Sequence, residues 1–365
     1  MKFLCKQSFL IDAISAAQKA VTGKSTKPIL QGLLIKAEDG IITIIGSDID
    51  MSIETKIQAD IHEVGSIVVD SRMFGDIIRK LPNDTIMIST SESNLIEIIC
   101  QKSKFNLVFM NPDEFPTLPK INENIILNIP QIILKNMIKG TIFAIAQEET
   151  RPILQGVLFE LKDNKLNLVA LDGYRLALRK ENIENANTIN AVIPGKSLTE
   201  ISKILSDVET KVNITFTTNH ILFNLGNTKI ISRLLEGEFI KYSTILPTEY
   251  NSKVTVKKEE LLDCIERASL MSKEGSNNLI NIDILENNMV ITSNSQYGKV
   301  REELNIILEG NTLEIAFNSK YLIDILKNIE EEEIIMEYTS SVSPCIIKNS
   351  VNNNSNYLVL PVRRN

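Results

Sequence analysis

Two short segments end in the glycine–lysine–serine order that closes a phosphate-binding loop, Gly23-Lys24-Ser25-Thr26 and Gly195-Lys196-Ser197. In such a loop successive backbone amides cradle the phosphates, and a further glycine stands ahead of the motif at a fixed spacing. Gln18 and Asn190 occupy those positions. Nucleotide binding is therefore not expected, although the second segment lies between a strand pattern and a helix pattern. The only histidines, His62 and His220, have neither the spacing of a metal cluster nor the partners of a nucleophile–base pair. Asp48 and Asp172 could form a catalytic carboxylate pair, but they stand at equivalent places in an internal repeat. That equivalence would separate them by a domain, and capping of turns is the expected role. The sequence thus offers no catalytic residue, no metal site and no cofactor site.

Composition narrows the class further. A net charge of −7 argues against an openly basic nucleic-acid binder. The charge is uneven, however. Residues 1–123 carry 13 basic against 16 acidic side chains, 124–247 carry 14 against 12, and 248–365 carry 12 against 18, with Glu330 to Glu333 as an acidic block. No apolar run approaches the ~20 residues that span a bilayer. The first residues hold Lys2 and Lys6 and lead into a helical pattern without a signal-peptide core. Cys5, Cys100, Cys264 and Cys345 are far apart, with no CxxC spacing. They read as reduced core residues of a cytoplasmic protein.

The organisation is a repeat. Pro28-Ile29-Leu30-Gln31-Gly32 returns as Pro152-Ile153-Leu154-Gln155-Gly156, 124 positions later. The same step relates the turn pairs Asp39-Gly40, Asp163-Asn164 and Asn287-Asn288. A period this long marks repeated domains, because solenoid units are far shorter. Three domains are expected, at 1–122, 123–247 and 248–365, each near the usual domain size.

Each copy opens with an apolar helical stripe: Leu10, Ile14, Ala17 and Val21; Leu134, Ile138, Thr141 and Ile145; Leu261, Ile265 and Ala268. A hairpin follows around each turn pair, since Gly, Asn and Asp best tolerate the positive φ of tight turns. Ile49, Met51, Ile53, Thr55 and Ile57 alternate as a further strand. A short strand such as Ile67 to Val69 then leads into a second helix with its own stripe (Phe74, Ile77, Ile78 and Leu81 in the first copy). More strands complete each copy. Pro112 to Lys120 and Pro247 to Lys253 read as linkers. The fold class is α+β, with helices on one face of antiparallel sheets.

On that second helix the cations keep register. Arg72, Lys196 and Lys320 are one repeat apart, as are Arg79, Lys203 and Lys327. At 100° per residue they lie opposite the apolar stripe. Asp76, Glu200 and Asp324 share the outer face. A solvated face with intrahelical ion pairs would explain one such helix. Recurrence in three diverged copies favours phosphate contact along a duplex, because solvation needs no fixed register.

The chain resembles the bacterial DNA polymerase III β subunit, the sliding-clamp family, over essentially its whole length. The resemblance is carried by Pro28-Ile29-Leu30 with Gly46-Ser47-Asp48, Arg151-Pro152-Ile153-Leu154, Leu171-Asp172-Gly173-Tyr174-Arg175-Leu176, Phe239 through Leu246-Pro247, and the tail Tyr357 to Arg363. It implies three clamp-type domains per chain and a head-to-tail homodimeric ring around double-stranded DNA. It implies a non-catalytic processivity factor that tethers the DNA polymerase III α subunit, the clamp loader, other polymerases and repair proteins through short linear peptides. Lys24 and Lys27 on a loop would join the six helix cations in the channel. Family-matched positions for a peptide pocket are Leu154, Leu171, Gly173, Arg175, Leu176, Phe239, Ile240, Ile245, Val342, Leu358, Leu360 and Pro361. Read from the residues alone, most of these are core, while Gly173 and Arg175 fall in a loop where packing does not demand them. Thr244 and Pro344 depart from the arginine and serine common in the family. Phe105 and Leu107 would meet Leu270 and Met271 of a second chain, through paired edge strands. The competing readings are a nucleotide-dependent enzyme built on three repeats and a two-domain clamp that closes as a trimer. Three copies per chain disfavour the latter.

Overall fold

The computed structural model describes residues 1–365 apart from 23–26, 92, 120, 122–126, 149, 186, 273–277, 352–353 and 364–365. Lys24, the first glycine–lysine segment and Lys120 lie outside the described residues. The helices obey the repeat. The first of each pair are α1 (Gln7–Ala17), α3 (Gln131–Ile142) and α5 (Lys258–Ser272); the second are α2 (Ser71–Lys80), α4 (Gly195–Ile204) and α6 (Ser319–Leu326). Each second helix begins 124 residues after the one before. Asp70 caps α2 by accepting from Met73 N at 2.7 Å, and Asn318 caps α6 by accepting from Lys320 N at 3.0 Å. Among the described residues no helix is long and apolar enough to cross a membrane.

The chain divides into two compact units, residues 1–132 with 196–234 and residues 133–195 with 235–365. The second repeat is shared between them, and the sheets explain why. In the first unit, Thr228–Arg233 of the second repeat pairs antiparallel with Met51–Gln58 of the first, Thr228 opposite Thr55 and Ser232 opposite Met51. One sheet therefore runs across the repeat boundary. Its core gathers Leu10 and Ile14 of α1, Phe74 and Ile78 of α2, and Leu33, Ile35, Ile42 and Ile44 of the first hairpin. In the second unit, Arg175–Asn182 of the second repeat pairs with Ser355–Val359 of the third, Leu176 opposite Leu358. A separate sheet, ordered Gly298–Asn305, Asn288–Ser295, Leu279–Ile284, Leu313–Asn318, also lies in this unit.

Local departures from the sequence reading have simple causes. The first two hairpin turns take the positive φ expected of them (Asp39 +51°, Gly40 +74°; Asp163 +51°, Asn164 +60°). Asn287 and Asn288 do not. There the turn forms one residue earlier, around Glu286 and Asn287: Leu285 N donates to Asn288 O at 2.9 Å, and Asn288 already belongs to the next strand. Ile49 is not part of the alternating strand, which starts at Met51; it sits in the preceding turn, 77 % exposed. Val21 and Ile145 fall beyond the ends of α1 and α3. The linkers are not featureless: Pro112–Glu114 is a 3-10 turn, and Lys253 already belongs to strand Ser252–Lys257.

Gly46 shows how closely α1 is held to the sheet. A Cβ there would lie 2.1 Å from the Ala17 carbonyl oxygen, whereas the equivalent position one repeat on is Ala170, fully buried. Gly46→Ala should lower stability by roughly 1–3 kcal/mol through forced displacement of the helix end. Urea unfolding would show a lower midpoint at unchanged slope. Ala170→Gly, which introduces no clash, should shift it less.

Candidate functional site

The second helices turn their cations outward in all three repeats. Side-chain exposure is 93 % for Arg72, 40 % for Arg79, 62 % for Lys196, 54 % for Lys203 and 56 % for Lys327. Lys320 is exposed as well, as is Lys27, which precedes the 3-10 turn Pro28–Gln31. The apolar stripes opposite them (Phe74 and Ile78, Leu198 and Ile201, Leu322 and Ile325) are fully buried. Acidic partners do not follow a single rule. Asp76 takes Arg79 at 2.9 Å and Arg72 at 4.0 Å, and Glu200 takes Lys203 at 2.7 Å. Lys196 instead reaches Asp48 at 2.9 Å, and Lys327 reaches Glu266 of α5 at 2.7 Å. That Glu266 contact pushes the Lys327 ammonium pKa upward. Exposed pairs of this kind contribute little to stability and are easily exchanged for other anions.

Asp324, read from the sequence as the third outer-face acid, is a correction. It accepts from Arg175 Nη1 at 2.6 Å. Arg175 itself is 7 % exposed and not a loop residue free of packing demands. It opens strand Arg175–Asn182, donates to Asp172 Oδ2 at 3.0 Å and to the Phe143 carbonyl at 2.6 Å, and lies 4.7 Å from the Tyr321 ring centroid. A buried guanidinium needs its charge and donors met together, and these groups of the second and third repeats do so. No spacing signal in the sequence links Arg175 to Tyr321 and Asp324.

Asp48 and Asp172 are turn caps. Asp48 Oδ1 accepts from Asp50 N at 2.9 Å and Met51 N at 2.7 Å; Asp172 Oδ1 accepts from Tyr174 N at 2.9 Å and Arg175 N at 3.0 Å. In the second turn Gly173 adopts φ +94°, a region that disfavours side chains. Tyr174, 61 % exposed, stacks on Tyr321 with ring centroids 6.1 Å apart. Gly195 and Lys196 begin α4, and Lys196 is committed to a carboxylate rather than lining an anion loop.

One apolar cluster collects Leu154, Leu171, Leu176, Phe239 and Leu358, with Ile240 and Leu360 half-buried against it. Leu360 is fixed by its amide, which donates to the Tyr174 carbonyl at 2.8 Å. Leu171, Leu176 and Leu358 are almost wholly buried, so the accessible part of the cluster is its rim of Ile240 and Leu360. Gly173, Ile245, Val342 and Pro361 are not members of that cluster; Ile245 is 38 % and Val342 79 % exposed. Thr244 lies in a short 3-10 turn, Tyr242–Thr244, whose Tyr242 hydroxyl bonds Glu160 and Asn167.

Phe105, 40 % exposed, lies on strand Ser103–Met110. Among the described residues that strand pairs with Leu95–Cys100 on one side, and on the other only through Phe109 and Met110, leaving the edge around Phe105 open. Leu107 is half-buried against the core of its own unit. Leu270, 59 % exposed, and Met271 lie on α5 and not on an edge strand, which corrects the picture of strand pairing through these residues. The open edge of the sheet beneath α5 is Gly298–Asn305, paired only with Asn288–Ser295. Cys5, Cys100, Cys264 and Cys345 are buried and unbridged, and burial raises the Cys5 thiol pKa to about 11. Among the described residues no group of His, Cys, Asp and Glu could hold a metal ion.

Three antiparallel-sheet domains with paired helices and outward cations define a DNA-clamp fold. The chain matches the DNA polymerase III beta subunit N-terminal domain over residues 1–119, its central domain over 128–241 and its C-terminal domain over 243–363. It is 37 % identical to the beta sliding clamp of Staphylococcus epidermidis, covering 100 % of this chain and 99 % of that one. The solved DNA polymerase sliding clamp of Bacillus subtilis is 38 % identical with a TM-score of 0.97, and each chain is fully covered. A Pseudomonas aeruginosa clamp bound to griselimycin is 27 % identical with a TM-score of 0.95, again over the full length of both chains. The chain belongs to the DNA polymerase III beta subunit family, the sliding clamps.

The repeat supplies a test of the Arg175 site, because the equivalent residue one repeat earlier is Met51. Arg175→Met keeps an unbranched side chain but strands Asp172 and Asp324. It should destabilise by roughly 1–3 kcal/mol, because two partly buried carboxylates lose the guanidinium that satisfies them. Adding Asp324→Asn should recover part of that loss in a double-mutant cycle of urea unfolding.

Proposed function

We propose that the chain is a replicative sliding clamp that encloses duplex DNA and tethers polymerases to it, with no reaction of its own to catalyse. The observation that carries this reading is the repeat of two exposed cations at fixed register on the second helix of all three domains. Arg72, Arg79, Lys196, Lys203, Lys320 and Lys327 line the channel, with Lys24 and Lys27 beside them. Two copies close head to tail into a ring. The domains run close to 1–122, 123–247 and 248–365, and the protein works in the cytoplasm, where the replication fork is.

Energetics favour enclosure over grip. Non-specific phosphate binding gives dissociation constants of roughly 10⁻⁴–10⁻⁶ M and weakens steeply with salt. Such contacts permit sliding but cannot hold a protein on DNA through long synthesis; a closed ring can. The acid partners of the cations suit this use, since exposed ion pairs exchange readily for phosphates during sliding. Clients dock by short linear peptides on the surface around Leu360, Pro361 and Ile240, with Gly173, Arg175, Ile245 and Val342 nearby and Leu154, Leu171, Leu176, Phe239 and Leu358 behind it. The DNA polymerase III α subunit, the clamp loader and repair proteins are the expected clients. The griselimycin-bound relative supports a ligand-accepting surface in the family. Shallow rim contacts give weak, exchangeable binding, which suits clients that take turns.

After loading, the protein should stay on nicked circular DNA and leave when the circle is linearised. Equal loss from both would sink the enclosure reading. Replacing the six helix cations by glutamine should cut loading at physiological salt and flatten its salt dependence; an unchanged salt slope would remove them from the channel. Phe105→Arg should convert the dimer to monomer by native mass spectrometry, whereas a persistent dimer would place the ring contact elsewhere.

A further inference from the structure

A cleft of about 290 Å³ in the first unit shares only Lys27 with the channel proposed above. Its walls occupy the repeat positions of the apolar cluster around Leu358 and Leu360. The 3-10 turn Pro28–Gln31 stands where Pro152–Gln155 stands in the other. Ser52 faces Ile231 across one seam as Leu176 faces Leu358 across the other. Even the closing hydrogen bond recurs: Arg233 N donates to Asp50 O at 2.8 Å, and Leu360 N donates to Tyr174 O at 2.8 Å, with the two acceptors one repeat apart. The strand pairing and closing hydrogen bond at the two seams therefore recur, with different side chains on them.

The changes follow a chemical direction. An apolar back is kept in Ile29, Leu30, Phe115 and Leu118. The buried pair Leu171 and Leu176 becomes Ser47 and Ser52, whose hydroxyls bond each other at 2.7 Å. Leu360 becomes Arg233, and beside it His220 sits directly across the strand pair. No ion pair engages either side chain among the described residues. Gly173 becomes Ile49, an isoleucine left 77 % exposed at the cleft. Three carboxylates also line the cleft: Asp48 is held by Lys196, while Asp50, whose carbonyl meets Arg233 N, and Glu114 face solvent. The wall formed by the second repeat thus presents the Arg233 guanidinium and the His220 imidazole above an apolar floor.

We infer that this cleft is a second peptide-docking site, for an extended segment that sets one large apolar side chain beside a carboxylate. The apolar group would rest on Ile29, Ile231 and the exposed face of Ile49, and the carboxylate would meet Arg233 and His220. A volume near 290 Å³ admits one such side chain and leaves the backbone at the mouth. Charge complementarity selects an acidic peptide over a neutral one. The inference borrows from the clamp reading only the idea that the repeat-related surface takes peptides.

The test uses the full chain with isoleucine methyl groups labelled, titrated with acetyl-Gly-Leu-Phe-Asp-amide and with its lysine counterpart. The methyls of Ile29, Ile49 and Ile231 report this cleft, and those of Ile153 and Ile240 report the surface near Leu360. With the acidic peptide the first set should shift. Arg233→Glu should weaken that response about tenfold, Arg233→Lys should largely restore it, and Leu360→Ala should not alter it. Shifts confined to Ile153 and Ile240 would overturn the second site and leave the client surface standing. Equal response to the acidic and lysine peptides, or indifference to Arg233→Glu, would also overturn it. Shifts at Ile29, Ile49 and Ile231 without any at Ile153 and Ile240 would support this cleft and count against the client surface instead.

Discussion

Main-chain pairing across repeat boundaries is the constraint on which the other features rest. Thr228–Arg233 adds to the first repeat's sheet, and Ser355–Val359 adds to the second's. Each seam satisfies backbone groups that would otherwise form an exposed edge. It also fixes the neighbouring repeat in register, because a slip of one residue would turn every side chain to the wrong face. The last strand of one repeat is thereby placed beside the Asx turn of the previous one, and both the first-unit cleft and the apolar cluster around Leu358 arise there. The two surfaces proposed to bind peptides are by-products of the way the repeats are joined.

Each seam is then reinforced differently. At the first, Thr55 and Thr228 hydroxyls meet at 3.1 Å and the exposed Lys196 bonds the nearly buried Asp48. At the second, Arg175 is buried among Asp172, Asp324, Phe143 and Tyr321. A buried charge satisfied on several sides is intolerant of displacement, since any separation leaves a desolvated group unpaired. The apolar surface around Leu360 is therefore built on a buried ion-pair base. The first cleft has a softer, more polar frame. One ancestral geometry has thus been given two chemistries.

The repeat, the helices and the hairpins were legible because they depend on short-range rules. The stripes Leu10–Ile14 and Phe74–Ile78 have helical spacing, and the turn pairs Asp39-Gly40 and Asp163-Asn164 supply residues that accept positive φ. Where those rules compete, reading failed. Asn287-Asn288 has the right composition for a tight turn, yet the turn forms one residue earlier, around Glu286 and Asn287. Ile49 fits an alternating pattern, yet the Asp48 carboxylate captures the amides of Asp50 and Met51 and bends the chain before the strand begins.

The sequence by itself determined the three-fold repetition, the secondary structure of each copy and the outward register of Arg72, Arg79 and their equivalents, because periodicity within a helix or strand is a local property. The tertiary structure alone decided that Asp324 turns inward to Arg175, 149 residues away in the chain, and that the second repeat divides between two units. It also decided that Leu270 and Met271 lie on a helix beside an open strand edge. Those outcomes depend on which distant groups the seams bring within reach, and no spacing along the chain encodes the distance between groups that meet only when sheets pair.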